Sequence, residues 1–196
     1  ADALGHYPIV VKDPDGEFLG YLTDDEPTPK KTLRVSAGIE MPLWFGQRVA
    51  EEPDYYGNVP LGEWAPGEPQ DQFTVPYDFK GRPAKGLKLV LVPTTRPWEA
   101  IAWLQFGGWN ECPAPETHVA VHRYWHKKYG AELVCMTRDV MEMRVARPPK
   151  GRSKAKDLAY EQFVYSGGDL VFQGFDSLRA LAASLIDAPT WYFWWD

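Results

Sequence analysis

The chain has 196 residues, of which 44% are hydrophobic and 24% charged, and a net charge of −6, proportions ordinary for a soluble globular protein. That charge argues against a nucleic-acid partner, because neutralising phosphates requires a basic surface. No apolar run approaches the roughly 18 residues of a membrane span, so no membrane partner is expected either.

The charge is unevenly spread. Residues 1–92 carry 15 acids and 9 bases, a net of −6, whereas residues 93–196 carry 12 of each. An acidic surface can steer a basic partner, although solubility is the plainer reading. Cys112 and Cys135 are the only cysteines. Two thiols do not make a disulfide framework, and no basic-then-apolar leader opens the chain, so a reducing, cytoplasmic location is expected.

In chain order, residues 6–11 read as a strand, Pro14-Asp15-Gly16 as a turn and residues 17–22 as the second strand of a β-hairpin, because Pro fixes φ and Gly accepts φ > 0. Residues 24–32 form a polar connector, and residues 33–39 are expected as a further short strand. Residues 51–86 hold six prolines and five glycines, which leaves few regular elements. They are too aromatic for a disordered tail. An ordered wrap is expected there, with Tyr55, Tyr56, Trp64, Phe73, Tyr77 and Phe79 pinned to the main body. Residues 1–87 thus form a β-rich, irregular first part.

From residue 88 the pattern changes. Residues 87–92 make a strand stopped by Pro93. Pro97 opens a short helix that Gly107-Gly108 closes, and a long helix follows Pro115 and stops at Gly130. Two strands over 132–137 and 140–146 join through a tight Arg138-Asp139 turn. Ser153 is the expected N-cap of a helix to Tyr165, and Asp176 of a helix over 178–186. The end is Trp191-Tyr192-Phe193-Trp194-Trp195-Asp196. Five consecutive aromatics left exposed would exceed the apolar patch that soluble monomers tolerate. Alternation puts Trp191, Phe193 and Trp195 on one face and Tyr192 and Trp194 on the other, which suggests a central strand covered on both sides. Residues 88–196 are therefore expected to be an α+β domain with a mostly antiparallel sheet covered by helices.

Several segments of this second part resemble one bacterial family. They are Gly107-Gly108-Trp109-Asn110-Glu111-Cys112-Pro113, Arg123-Tyr124-Trp125-His126, Gly130-Ala131-Glu132-Leu133-Val134, Glu142-Met143-Arg144-Val145, Ala159-Tyr160-Glu161-Gln162-Phe163 and the aromatic ending. The family is DUF4253, a domain of unknown function, and the resemblance covers roughly residues 88–196. It implies a cytoplasmic bacterial protein, common in actinobacteria. It supplies no activity and no catalytic residues.

One constellation carries chemistry by its spacing. His118, His122 and His126 recur at i, i+4, so each step advances about 40° around the helix and about 6 Å along it. They share the apolar stripe of Trp125 and Tyr129 and should face inward. Zn–N bonds are roughly 2.0–2.1 Å, so three histidines spread over about 12 Å cannot all reach one ion. A site would need one pair plus Glu111, Cys112 or Asp139, and no Glu follows the first His as in metalloproteases. Neither a metal nor a cofactor is called for.

Cys112 beside a histidine is a candidate nucleophile only if its thiolate is favoured. Catalytic candidates are therefore Glu111, Cys112, His118, His122 and His126. Binding candidates are Trp109, Asn110 and Tyr129, for an unidentified protein or small molecule. The basic run Arg147, Lys150, Arg152, Lys154 and Lys156 suits an acidic partner, or else a solvated helix start. No phosphate loop, dinucleotide fingerprint or nucleophile elbow occurs. A non-enzymatic binding or protein-interaction module is the favoured reading. A hydrolase-like enzyme built on the histidine helix with Glu111 or Cys112 is the alternative.

Overall fold

The computed structural model describes residues 5–20, 28–64 and 66–196. Its frame is a five-stranded sheet of β1 (Tyr7–Lys12), β2 (Leu87–Val92), β3 (Ala131–Met136), β4 (Val140–Val145) and β5 (Thr190–Trp194), in the order β2-β1-β3-β4-β5. β1 runs antiparallel to β2 in full register, from Tyr7↔Val92 to Lys12↔Leu87. It meets β3 in parallel through Val10↔Cys135 and Val11↔Met136. The β3–β4 and β4–β5 pairs are antiparallel, so the sheet is mostly antiparallel within an α+β fold, as expected.

The helices in chain order are α1 (Glu17–Gly20), α2 (Pro29–Ser36), α3 (Leu43–Glu51), α4 (Pro53–Gly57), α5 (Ala100–Leu104), α6 (Pro115–Tyr129), α7 (Arg152–Tyr165) and α8 (Leu178–Leu185). A 3-10 turn over Pro97–Glu99 precedes α5, and a π-helical turn over Leu170–Phe175 precedes α8.

The early segments depart most from the sequence reading. Residues 17–20 are helical, and the strand paired to β1 is β2, not its sequence neighbour. The cause is Asp13. Its carboxylate accepts from the backbone N–H groups of Phe18 (3.1 Å) and Leu19 (3.3 Å), capping a helical turn where the Pro-Asp-Gly signal pointed to a hairpin. Residues 21 and 22, the rest of that expected strand, lie outside the described residues, as do 24–27 of the polar connector. The strand expected over 33–39 is mostly helix α2: Thr28 caps it by accepting from Lys31 N–H at 3.3 Å, and Pro29 occupies the first turn. The first part is therefore helical as well as irregular.

Residues 58–64 and 66–86 do wrap the body without regular structure, apart from a Tyr77↔Pro83 bridge. Tyr56 is fully buried, but Tyr77 is 47% and Phe79 93% exposed, so those two anchor nothing. The anchor is polar. Glu142 on β4, fully buried, accepts from Thr74 N–H and hydroxyl (2.6 Å each) and from Val75 N–H (3.0 Å).

Helix ends follow local chemistry. α6 begins with Pro115 and ends at Gly130 in the left-handed region (φ 64°). The N-cap of α7 is Gly151 rather than Ser153. Ser177, one residue after the expected Asp176, caps α8 by accepting from Ala180 N–H.

The aromatic strand β5 is an edge strand, not a central one. Its alternation holds: Trp191, Phe193 and Trp195 are buried, and Tyr192 and Trp194 are half-buried. The buried face packs on α6 and α7. Trp125 lies 5.5 Å from Phe193 in a stacked pair, 5.6 Å from Trp191 and 5.0 Å from Tyr165. With one face covered by helices, the strand needs no second neighbour to bury its large rings.

Candidate functional site

Helix α6 presents the histidines because its register places them beside Trp125 on the face that meets the sheet and α7. The structure splits the three. His118 and His122 are buried and converge on a residue the sequence reading missed, Tyr165 at the end of α7, itself fully buried. The Tyr165 hydroxyl lies 2.5 Å from His118 Nδ1 and 3.0 Å from His122 Nε2. His118 Nε2 lies 3.5 Å from Cys112 Sγ. His126 stands apart, with Nδ1 3.2 Å from the Ala131 carbonyl and its ring against Trp98.

The result is a buried polar chain, Cys112–His118–Tyr165–His122. A hydroxyl has one proton. Tyr165 donates to one imidazole and accepts from the other, so both rings carry their proton on the same type of nitrogen: Nε2 if Tyr165 donates to His118, Nδ1 if it donates to His122. Burial makes charge costly here. It pushes His118 well below the usual imidazole range, with His122 adding to the effect, and takes His122 down to about 3. Burial also pushes the Cys112 thiol and the Tyr165 phenol up. At neutral pH every member is uncharged. His122 Nδ1 has no hydrogen-bond partner among the described residues. Gly107, at φ 106°, closes over this chain: a Cβ there would stand 2.0 Å from the Pro113 carbonyl and 2.6 Å from His118 Nε2.

The remaining candidates go elsewhere. Glu111 is ion-paired with Arg48 at the surface, away from the imidazoles. Tyr129 is buried against Trp191 at the C-terminal end of α6. Among the described residues, no group of three His, Cys, Asp or Glu side chains is placed to hold a metal ion. A nucleophilic cysteine needs a partly exposed thiolate in a positive setting; Cys112 is a buried thiol against a neutral ring.

Trp109 and Asn110 lead to a different place. The Asn110 side chain donates to the Asp196 carbonyl at 2.7 Å, tying the Gly107–Gly108 loop to the end of the chain. Trp109 packs on Phe106 at 4.9 Å. Both line a cleft of about 520 Å³ whose other walls include Phe18, Arg138, Asp139 and Trp194. It sits on the rim formed by the carboxyl ends of β1, β3 and β5, beside the β1–β3 parallel pair. Rims of this kind are where ligands settle in open sheets with parallel strands. Phe18 comes from α1, Arg138 and Asp139 from the β3–β4 turn, and Trp194 from β5. Arg138 is exposed, and among the described residues it has no ion pair. The sequence reading placed Arg138 and Asp139 in a tight turn and Trp194 on the strand face opposite Trp195, a face it expected to be covered; Trp194 is instead half-buried. Nothing local signalled that α1 would bring Phe18 to them.

The family model described as "Domain of unknown function (DUF4253)" matches residues 88–196, more than half of the chain. The chain belongs to the DUF4253 family. No curated protein and no solved structure matches it. The DUF4253 segment contains the whole buried chain from Cys112 to Tyr165 and most of the cleft. The exceptions include Phe18 and Glu17, which come from the preceding residues. Among the described residues no helix is long and apolar enough to cross a membrane.

Proposed function

We propose that this protein is a non-enzymatic binding module and that the cleft between Phe18, Trp109 and Trp194 seats a cationic group of its ligand. The observation that carries the reading is the convergence of three aromatic rings from three separate elements on one cleft with Glu17, Asp139 and Asp196. Aromatic faces attract cations through the ring quadrupole, and carboxylates at the rim add to that attraction. Arg138 opposes them with a single charge. Its unpaired guanidinium disfavours ligands with a second cation beside the first. The volume, about 520 Å³, is that of a small-molecule or side-chain pocket. The hydrolase-like alternative has the Cys112–His118 contact in its favour, but its groups are buried and uncharged, and Glu111 is committed to Arg48. We also propose a bacterial cytoplasmic location, which the free thiols of Cys112 and Cys135 support.

The test is titration with tetramethylammonium and with lysine and arginine methyl esters, followed by tryptophan fluorescence. Saturable quenching that is lost in Trp109→Ala supports the cleft. Absence of saturation with every cation removes it as the ligand seat.

A further inference from the structure

A second concavity, away from the aromatic cleft, lies where the C-terminal end of α6 meets the start of α7. It is a groove of about 770 Å³ lined by Lys128, Arg147, Lys150, Arg152 and Lys154, with Asp157 as its one carboxylate. Five cations against one anion is a strong local excess in a chain of net charge −6. A concave patch of one sign focuses the field and raises the local concentration of counter-ions.

The cations are not equally committed. Lys128 is bound to Glu161 and the Tyr124 hydroxyl, both at 2.8 Å. Arg147 donates to the last carbonyls of α6, His126 at 3.2 Å and Lys127 at 3.0 Å. Arg152 lies over the Trp64 ring at 5.1 Å. These contacts hold three positive groups in place. Lys150 and Lys154 are exposed and, among the described residues, have no partner. The groove floor adds donors. The first helical hydrogen bond of α7 runs from Ala155 N–H to the Gly151 carbonyl, and no side chain caps the helix. The N–H groups of Arg152, Ser153 and Lys154 therefore point out of the helix end.

We propose that this groove binds a soluble small molecule through a phosphoryl or pyrophosphoryl group. Phosphate oxygens accept several charge-assisted hydrogen bonds at once, which matches paired free lysines, a fixed arginine and unsatisfied backbone donors. A lipid headgroup carries the same chemistry, but a membrane-docking surface needs apolar anchors around the cations. Among the described residues, none of the large exposed hydrophobics, such as Phe79, Leu89 and Leu91, lines the groove.

The experiment titrates the full chain with sodium pyrophosphate at low ionic strength, by calorimetry and by amide chemical shifts. The expected result is saturable binding at one site with shifts at Ser153 and Lys154. In Lys150→Glu/Lys154→Glu the affinity should fall by roughly tenfold or more, the loss of at least one charge-assisted bond. Both lysines are exposed, so circular dichroism and melting should match the parent, and reversal at exposed Lys80 should leave binding intact. Unchanged affinity in the double variant, or shifts that never saturate, would overturn the site. So would binding to vesicles containing phosphatidylinositol phosphates without binding to pyrophosphate.

Discussion

Thr74 gives both its backbone N–H and its hydroxyl to one oxygen of the buried Glu142 carboxylate, each at 2.6 Å, across 68 positions of sequence. Val75 N–H satisfies the other oxygen at 3.0 Å. A buried carboxylate is tolerated when its lone pairs are filled this way. Here the acceptor stands on β4 and the donors stand on the irregular wrap, so the Glu142 side chain fastens the loop to the sheet, with Thr190 of β5 adding a bond from its hydroxyl to the Gln70 carbonyl at 2.8 Å.

Glu142→Ala should release that loop. The three donors lose a charged acceptor, at a cost of roughly 3 kcal/mol. Limited proteolysis should then cut within residues 66–86 while the core remains intact. Equal protease resistance in variant and parent would show that the loop is held by other contacts.

His122→Leu should keep the fold and flatten the acid limb of stability. The folded pKa values of His118 and His122 lie below the unfolded value of about 6.5. As pH falls below about 6.5 the unfolded chain takes up protons that the folded chain refuses, so stability is lost with acidification. The slope is at most roughly 1.4 kcal/mol per pH unit for each histidine. With Leu at 122, the Tyr165 hydroxyl still has His118, the unpartnered Nδ1 is gone, and about half of the slope should disappear. Urea unfolding between pH 7.5 and 4.5 measures it, and an unaltered slope would contradict the assignment.

Trp195→Ala removes a ring that is 1% exposed and packs within 5.6 Å of Phe106, 5.4 Å of His118 and 5.3 Å of Tyr165. The loss should be roughly 3–5 kcal/mol. A change under about 1 kcal/mol would mean that the ring is not part of the core.

The thiols should be silent in the native protein. Cys112 and Cys135 are free and buried, and burial raises both. A thiol reagent should titrate neither until denaturant is added, then both without reductant. Rapid native reaction at Cys112 would reopen the nucleophile reading.

Local chemistry alone determined the long helix from Pro115 to Gly130, the β3–β4 hairpin, the buried alternation of Trp191, Phe193 and Trp195, and the inward face of His118 and His122. Each depends on capping, turn chemistry or periodicity within a few residues, and those signals survive whatever the rest of the chain does. Only the tertiary structure decided what lies across from them. Asp13 could cap a helical turn because β2, 75 residues later, supplies Lys88 to the same carboxylate at 2.8 Å. β5 could be an edge strand because α6 and α7 cover the ring face that carries its burial. Tyr165 joined two histidines, and Phe18 met Trp109 and Trp194, because separate elements packed with those faces together. Such pairings depend on which surfaces meet once the chain is compact, and no short window of sequence carries that information.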